Sequence, residues 1–212
     1  MNSSIVEGFL SMNRQAVLDS VLQKLQAGTD PLLILKECQE SMEQVGKRFE
    51  SGEFFLSELI YSAEIFKEVS PILQDRLAGR GAGQKIAGVV VFGTPQGDIH
   101  DLGKNIVIAF MRASGFTVHD LGVDVPPQKF IQKLKETPGS ILALSALITP
   151  ALLSMQKVIE LLKESGLRER TFVIIGGPVT TDLMCQKVGA DARANDAVEG
   201  VRFCKQYHAS RS

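Results

Sequence analysis

Ile86-Ala87-Gly88-Val89-Val90-Val91-Phe92 is an apolar run that reads as a buried strand. Gly97-Asp98-Ile99-His100-Asp101-Leu102-Gly103-Lys104-Asn105 follows it, and Ile106 to Met111 then reads as a helix start. An imidazole, two carboxylates and two glycines therefore sit on a strand-to-helix loop, which is where ligands bind in an open α/β sheet. A His two residues from an Asp, held on a glycine-hinged loop, suits an axial ligand to a metal-centred cofactor. Asp98 would then hold the second ring nitrogen.

Working outward, the pattern after this point alternates strand and helix. Strands are predicted at Lys85–Phe92, Thr117–Asp120, Ile141–Ser145, Thr171–Ile175 and, shorter, near Ala190–Ala192. Helices are predicted at Lys104–Ser114, Pro127–Glu136, Pro150–Ser165, Thr180–Val188 and Ala197–Tyr207. Short strands each followed by a helix imply a parallel, doubly wound sheet. A flavodoxin-like order would put the first and third strands side by side at the switch point.

The first ~80 residues instead show helical periodicity. Val17, Leu18, Val21, Leu22 and Leu25 form one stripe. Leu32, Leu33, Leu35, Cys38, Met42, Val45 and Phe49 form a second, behind the helix-start signal Asp30-Pro31. Ser51-Gly52 breaks it. Leu56, Leu59, Ile60, Ala63, Ile65, Phe66 and Val69 form a third, which Pro71 interrupts before helix resumes toward Leu77. With a short helix near Ser4 to Met12 this is a four-helix bundle. The expected organisation is a helical bundle over residues 1–78, a glycine-rich linker over 79–84 and a Rossmann-like α/β domain over 85–212.

Composition excludes several classes. With 44% hydrophobic residues the chain is not disordered, and no apolar run approaches the ~20 residues of a membrane span. Met1 to Leu10 lacks the basic cluster of a secretory signal. A formal net charge of −1 disfavours nucleic acid as a partner. Cys38, Cys185 and Cys204 are scattered, without metal-ligand spacing, and read as reduced thiols of a cytoplasmic protein.

Three loops would converge at the carboxyl ends of the first, third and fourth strands. The first holds Gly97, Asp98, His100, Asp101 and Gly103. The next is Leu144-Ser145-Ala146-Leu147-Ile148-Thr149-Pro150, and the last is Ile174-Ile175-Gly176-Gly177-Pro178-Val179-Thr180. Singly, each has a plain structural explanation: a solvated or capping His, a small polar residue ending a strand, a tight Gly-Gly turn. Together and in this order they are a specific signal.

Asp98-x-His100-x-x-Gly103, Ser145-x-Leu147 and Gly176-Gly177 resemble the cobalamin-binding signature of corrinoid proteins. The linker and sheet resemble the B12-binding domain of cobalamin-dependent methionine synthase. The stretch from Phe49 to Ile60 resembles that enzyme's helical cap, and is closer still to stand-alone corrinoid proteins of methylamine, methanol and related methyltransferase systems. The resemblance implies a cobalamin or related corrinoid, bound base-off with His100 as the lower axial ligand to cobalt and Asp98 on its other nitrogen. By the same resemblance Gly97, Ile99, Asp101, Leu102 and Gly103 line the lower face. Ser145, Leu147, Thr149, Gly176 and Gly177 flank the nucleotide tail, with Asn195, Asp196 and Ala197 as a further loop against it. In the methionine synthase pattern a serine completes a His–Asp–Ser relay; here that position is Ala151.

The implied role is a methyl carrier cycling between cob(I)alamin and methylcobalamin. A substrate-specific methyltransferase loads it, a second methyltransferase passes the methyl group to coenzyme M or tetrahydrofolate, and a reductive activase restores the cobalt. The apolar bundle could support a homodimer. An apolar lid protects the upper face, for which Phe54, Phe55, Leu56 and Leu59 are candidates, although ordinary bundle core explains them equally. Two other classes share the signature: B12-dependent sensors or regulators, and small subunits of adenosylcobalamin mutases. The first group carries a basic DNA-binding helix-turn-helix, which is not found here. The second normally lacks the helical cap.

Overall fold

The computed structural model describes residues 4–77, 87–137 and 141–210. The expected linker at 79–84 and the start of the first strand at Lys85 and Ile86 lie outside these residues. The chain divides into two compact units.

The first unit consists of α1 (Ser4–Leu10), α2 (Arg14–Gln26), α3 (Pro31–Glu50) and α4 (Leu56–Leu77). Asn13 caps α2 by accepting the Ala16 N–H at 3.0 Å, and Asp30 caps α3 through the Leu32 N–H at 2.9 Å, with Pro31 opening the helix. Glu58 accepts the Phe55 N–H at 2.8 Å, tying the entry of α4. Val17 and Val21 on α2, Ile34, Cys38 and Val45 on α3, and Leu59, Phe66 and Leu73 on α4 form the core.

Several expected core positions fall elsewhere. Leu22, Leu32, Leu33 and Leu56 are exposed. On α3 the buried face runs through residues 31, 34, 35, 38, 41, 42, 45 and 46, so Ile34 takes the core position and Leu32 and Leu33 point away from it. Leu22 likewise stands off the face that Val17 and Val21 define. Pro71 does not break α4, which runs unbroken through it, anchored by buried Val69 and Leu73 on the packed face while Pro71 stays at the surface. Of the four lid candidates Leu59 is core, Phe54 is half-buried, and Phe55 and Leu56 are exposed.

The second unit consists of β1 (Gly88–Gly93), α5 (Leu102–Ala113), β2 (Phe116–Asp120), α6 (Pro127–Glu136), β3 (Ile141–Ser145), α7 (Ala151–Glu164), β4 (Phe172–Gly176), α8 (Asp182–Val188), β5 (Ala192–Ala194) and α9 (Ala197–Ala209). The sheet is parallel in the order β2-β1-β3-β4-β5, so β1 and β3 adjoin as the flavodoxin-like order requires. Both faces are covered, which is why β1 and β3 read as continuous apolar runs. Val91, Leu142, Leu144, Val173 and Ile175 pack on one face against Phe130, Met155, Ile159 and Val188 of α6, α7 and α8. α9 packs on β4 and β5, with Gly200 set against Ala194 and Val107 of α5.

β5 begins two residues later than predicted. Asp191 is occupied in the turn before it, accepting the Val173 N–H at 2.7 Å and pairing with Arg168 at 2.6 Å. α8 starts at Asp182 because Thr181 caps it from outside.

The three cysteines are free and buried. Burial pushes the Cys38 and Cys204 thiols up to about 12 and raises Cys185 as well. A thiol with such a pKa is about one part in 10⁵ thiolate at neutral pH, and the thiolate is the reactive form. The native protein should therefore give almost no reaction with an aromatic disulfide reagent over minutes, and release all three equivalents in denaturant. Rapid native reaction at Cys38 or Cys204 would contradict this packing.

Candidate functional site

The loops after β1, β3 and β4 meet at the carboxyl ends of the strands, and a single carboxylate joins the first two. Asp98 is fully buried. Its Oδ1 accepts the His100 backbone N–H at 3.0 Å and lies 2.7 Å from His100 Nδ1. Its Oδ2 accepts the backbone N–H groups of Leu147 at 2.7 Å and Ile148 at 3.3 Å. Burial pushes this carboxyl up, but the N–H of His100, the N–H of Leu147, the His100 ring and the N–H of Ile148 outweigh it and hold Asp98 below its ordinary value. An anionic acceptor at Nδ1 holds the ring proton there, so in the neutral ring Nε2 carries the lone pair. The His100 side chain is 50% exposed, which leaves that nitrogen accessible.

The third loop is joined by main-chain contact. The Ala146 N–H donates to Gly176 O at 3.0 Å, and Gly177 passes so close to Ala146 that a Cβ there would lie 2.0 Å from the Ala146 carbonyl oxygen. Gly177 has φ +109°, open only to glycine without strain. Thr180, buried, closes the turn through Oγ1 to Gly177 O at 2.7 Å.

The structure thus gathers Gly97, Asp98, Ile99, His100 and Asp101 on the first loop, and Leu102 and Gly103 in the first turn of α5. Ser145, Leu147 and Thr149 lie at the end of β3, and Gly176 and Gly177 at the end of β4. Asn195 follows Ala194, the register partner of Gly176. Asp196 caps α9 by accepting the Glu199 N–H at 2.8 Å, and Asn195 binds Glu199 Oε2 through both its N–H and its amide. Ala197, the first residue of α9, is buried. Ala151, at the relay-serine position, is buried too, and Asp98 Oδ2 is satisfied by two amide N–H groups instead.

Four supporting residues, Thr94, Asp124, Lys104 and Asp120, lie outside the set of site residues expected from the sequence. Thr94, buried, donates from Oγ1 to His100 O at 3.2 Å. Asp124, in the left-handed region at φ 51°, accepts the Gly97 N–H at 2.8 Å, and its own N–H donates to Asp98 O at 2.9 Å. Lys104, buried in the first turn of α5, binds Asp120 at 2.8 and 2.9 Å. The signal in the sequence was a lysine just ahead of the apolar run Ile106 to Met111.

Around His100, Ile99, Leu102 and Leu147 are large apolar side chains left exposed. Among the described residues no group of three or more His, Cys, Asp or Glu could hold a bare metal ion. An oriented imidazole within an apolar surface, on the ligand-binding edge of a doubly wound sheet, suits a flat, metal-centred cofactor. Comparison with known proteins is specific about which. Residues 88–202 and residues 3–74 each match a family described as B12 binding domain. The chain is 38% identical over 203 residues to the dimethylamine corrinoid protein of Methanosarcina barkeri, covering 95% of this chain and 94% of the relative. A crystal structure of a cobalamin-binding protein from Desulfitobacterium hafniense aligns with TM-score 0.74 at 36% identity over 96% of both chains. The methanol:cobalamin methyltransferase complex from Methanosarcina barkeri aligns with TM-score 0.83 at 25% identity, over 97% of this chain and 78% of the other. The chain belongs to the cobalamin-binding corrinoid protein family of methyltransferase systems, and its cofactor is a corrinoid.

Proposed function

We propose that this protein is a methyl carrier that holds its corrinoid base-off, with His100 Nε2 as the lower axial ligand, between a substrate-specific methyltransferase and a second, acceptor methyltransferase. The observation that carries the ligand assignment is the buried Asp98 carboxylate, which claims Nδ1 and turns Nε2 outward. The dimethylamine and methanol systems among the relatives support a one-carbon donor, and the acceptor is a thiol such as coenzyme M or a folate. A reductive activase completes the set, a homodimer is built on the helical unit, and the three reduced thiols suit the cytoplasm.

The residues present fit a corrinoid. Gly103 stands in the first turn of α5 with open space where a Cβ would be. Alanine there would favour the helix by about 1 kcal/mol, so local structure gives no reason for glycine, whereas a macrocycle lying close does. Ile99, Leu102 and Leu147 offer it an apolar bed. When bound, the corrinoid supplies the cobalt that accepts and donates the methyl group. The protein's own part is to bind, orient and hold a proton. Asp98 Oδ1 keeps the proton on Nδ1 and so raises the basicity of Nε2. Asp98 Oδ2 faces two amides, which cannot pass a proton onward, so the His–Asp pair ends at Asp98.

The test is the Co(II) form of the cobalamin-loaded protein, grown with ¹⁴N- or ¹⁵N-histidine. Electron spin resonance should show a nitrogen splitting that changes pattern with the isotope. His100→Ala should abolish it and weaken cobalamin binding by roughly 10–100-fold. Isotope-independent splitting, or a His100→Ala protein with unchanged coordination, would overturn the assignment.

A further inference from the structure

Asp98 and Lys104 are the two buried charged side chains among the described residues. Asp98 has its explanation in His100; Lys104 has none in the ligand chemistry. It is also badly placed for stability. An ammonium in the first turn of a helix opposes the helix dipole, and burying that ammonium while its partner Asp120 stays exposed to water costs about what the pair returns. We infer that Lys104, through its ion pair with Asp120, is a positioning residue that sets where the His100 backbone stands. The inference rests on His100 being the cobalt ligand.

The hydrogen bonds run in a circuit. Lys104 Nζ reaches both Asp120 oxygens at 2.8 and 2.9 Å and Asn105 Oδ1 at 2.8 Å. Asp120 Oδ1 also accepts the Gly122 N–H at 2.9 Å. The Gly122 carbonyl accepts the Thr94 N–H at 3.0 Å, and Thr94 Oγ1 donates to the His100 carbonyl at 3.2 Å. On the other side Asn105 Nδ2 donates to Asp101 Oδ2 at 3.1 Å, and the Asn105 N–H donates to Asp101 O at 2.8 Å. The circuit closes through α5 itself, four residues from His100. Asp98 orients the imidazole ring; Lys104 and Asp120 fix the backbone that carries it against the end of β2. An apolar pair of similar volume would fill the space but could not hold Gly122, and through it Thr94, in place.

Two variants test this, Lys104→Met and the double variant Lys104→Met/Asp120→Leu, read in two ways. With saturating cobalamin, the histidine nitrogen splitting of the Co(II) form should persist in only a minority of the bound cofactor, and half-saturation should need roughly tenfold more cobalamin or above. In the cofactor-free protein, exchange of the His100 amide should quicken roughly tenfold or more while the amides of Leu142 and Val173 keep their rates. The double variant should melt near the parent temperature. A folded double variant with full histidine ligation and unchanged exchange would overturn the inference. So would failure of the double variant to fold, because the pair would then be a stability element. If the parent protein itself shows no histidine splitting, the ligand assignment fails instead, and the exchange experiment still decides whether Lys104 controls the loop.

Discussion

Gly177→Ala should leave the sheet unit unfolded or close to it. The added Cβ would stand 2.0 Å from the Ala146 carbonyl oxygen, 2.9 Å from its carbonyl carbon and 3.1 Å from its nitrogen. All three are backbone atoms, so no side chain can swing aside. The φ of +109° adds strain that an L side chain rarely tolerates. Relief requires the β3 and β4 loops to separate, which pulls the Ala146 N–H from Gly176 O and drags the adjoining Leu147 N–H from Asp98 Oδ2. The damage therefore spreads from a turn to the carboxylate that orients His100. The cost should exceed about 4 kcal/mol, in the range reserved for severe backbone conflict. Gly176→Ala is the control. Its φ is not left-handed, and its Cβ would meet only Ala194 O, at 3.4 Å, an ordinary contact. That variant should fold with a loss below about 1 kcal/mol. Thermal unfolding followed by circular dichroism compares them directly; a Gly177→Ala protein melting within about 2 °C of its parent would refute the contact.

The difference between those two neighbours marks what a sequence can disclose. Gly176-Gly177 reads as a turn pressed against something, and so it is, but which glycine meets backbone depends on where Ala146 lies across the sheet. Strand order and the convergence of the three loops were legible, because a parallel sheet buried on both faces writes itself as apolar runs separated by glycine and polar loops. The Asp98-x-His100 spacing was legible because it is local: two residues along one loop bring Oδ1 to Nδ1. The second half of the Asp98 environment was not, since the N–H groups of Leu147 and Ile148 are main chain and carry no sequence identity. Lys104 with Asp120 and Asp124 with Gly97 join residues 16 and 27 positions apart, and pairings at such range have no period to read. In the helical unit the apolar stripes located the helices but overfilled the core. Leu32-Leu33-Ile34-Leu35 offers four apolar residues where one face accepts two, and only packing decides that Ile34 and Leu35 go in.

Asp98→Ala should cost about 3–5 kcal/mol, because it leaves several donors at a buried position without an acceptor. The His100, Leu147 and Ile148 N–H groups would lose their acceptor at once, and the His100 ring its anchor. Asp98→Asn separates stability from ligation. The carboxylate accepts on both oxygens, whereas the amide offers one accepting oxygen and one donating nitrogen. With its oxygen toward Leu147 and Ile148, the amide nitrogen faces His100 Nδ1 and must donate to it. The ring proton then moves to Nε2, and the lone pair that would meet cobalt is gone. With its oxygen toward His100, the amide nitrogen opposes two N–H donors. The first arrangement leaves only the His100 backbone N–H without an acceptor, so the protein should adopt it at a cost of about 1–3 kcal/mol. The Asn variant should therefore melt only somewhat below the parent yet lose the histidine splitting of its Co(II) form, while the Ala variant loses both stability and splitting. An Asn variant that kept full splitting would show that the ring needs only a neighbour of the right shape. Loss of splitting in a folded Asn variant would show that it needs an acceptor at Nδ1, because at fixed volume the two side chains differ in which nitrogen of His100 they allow to be protonated.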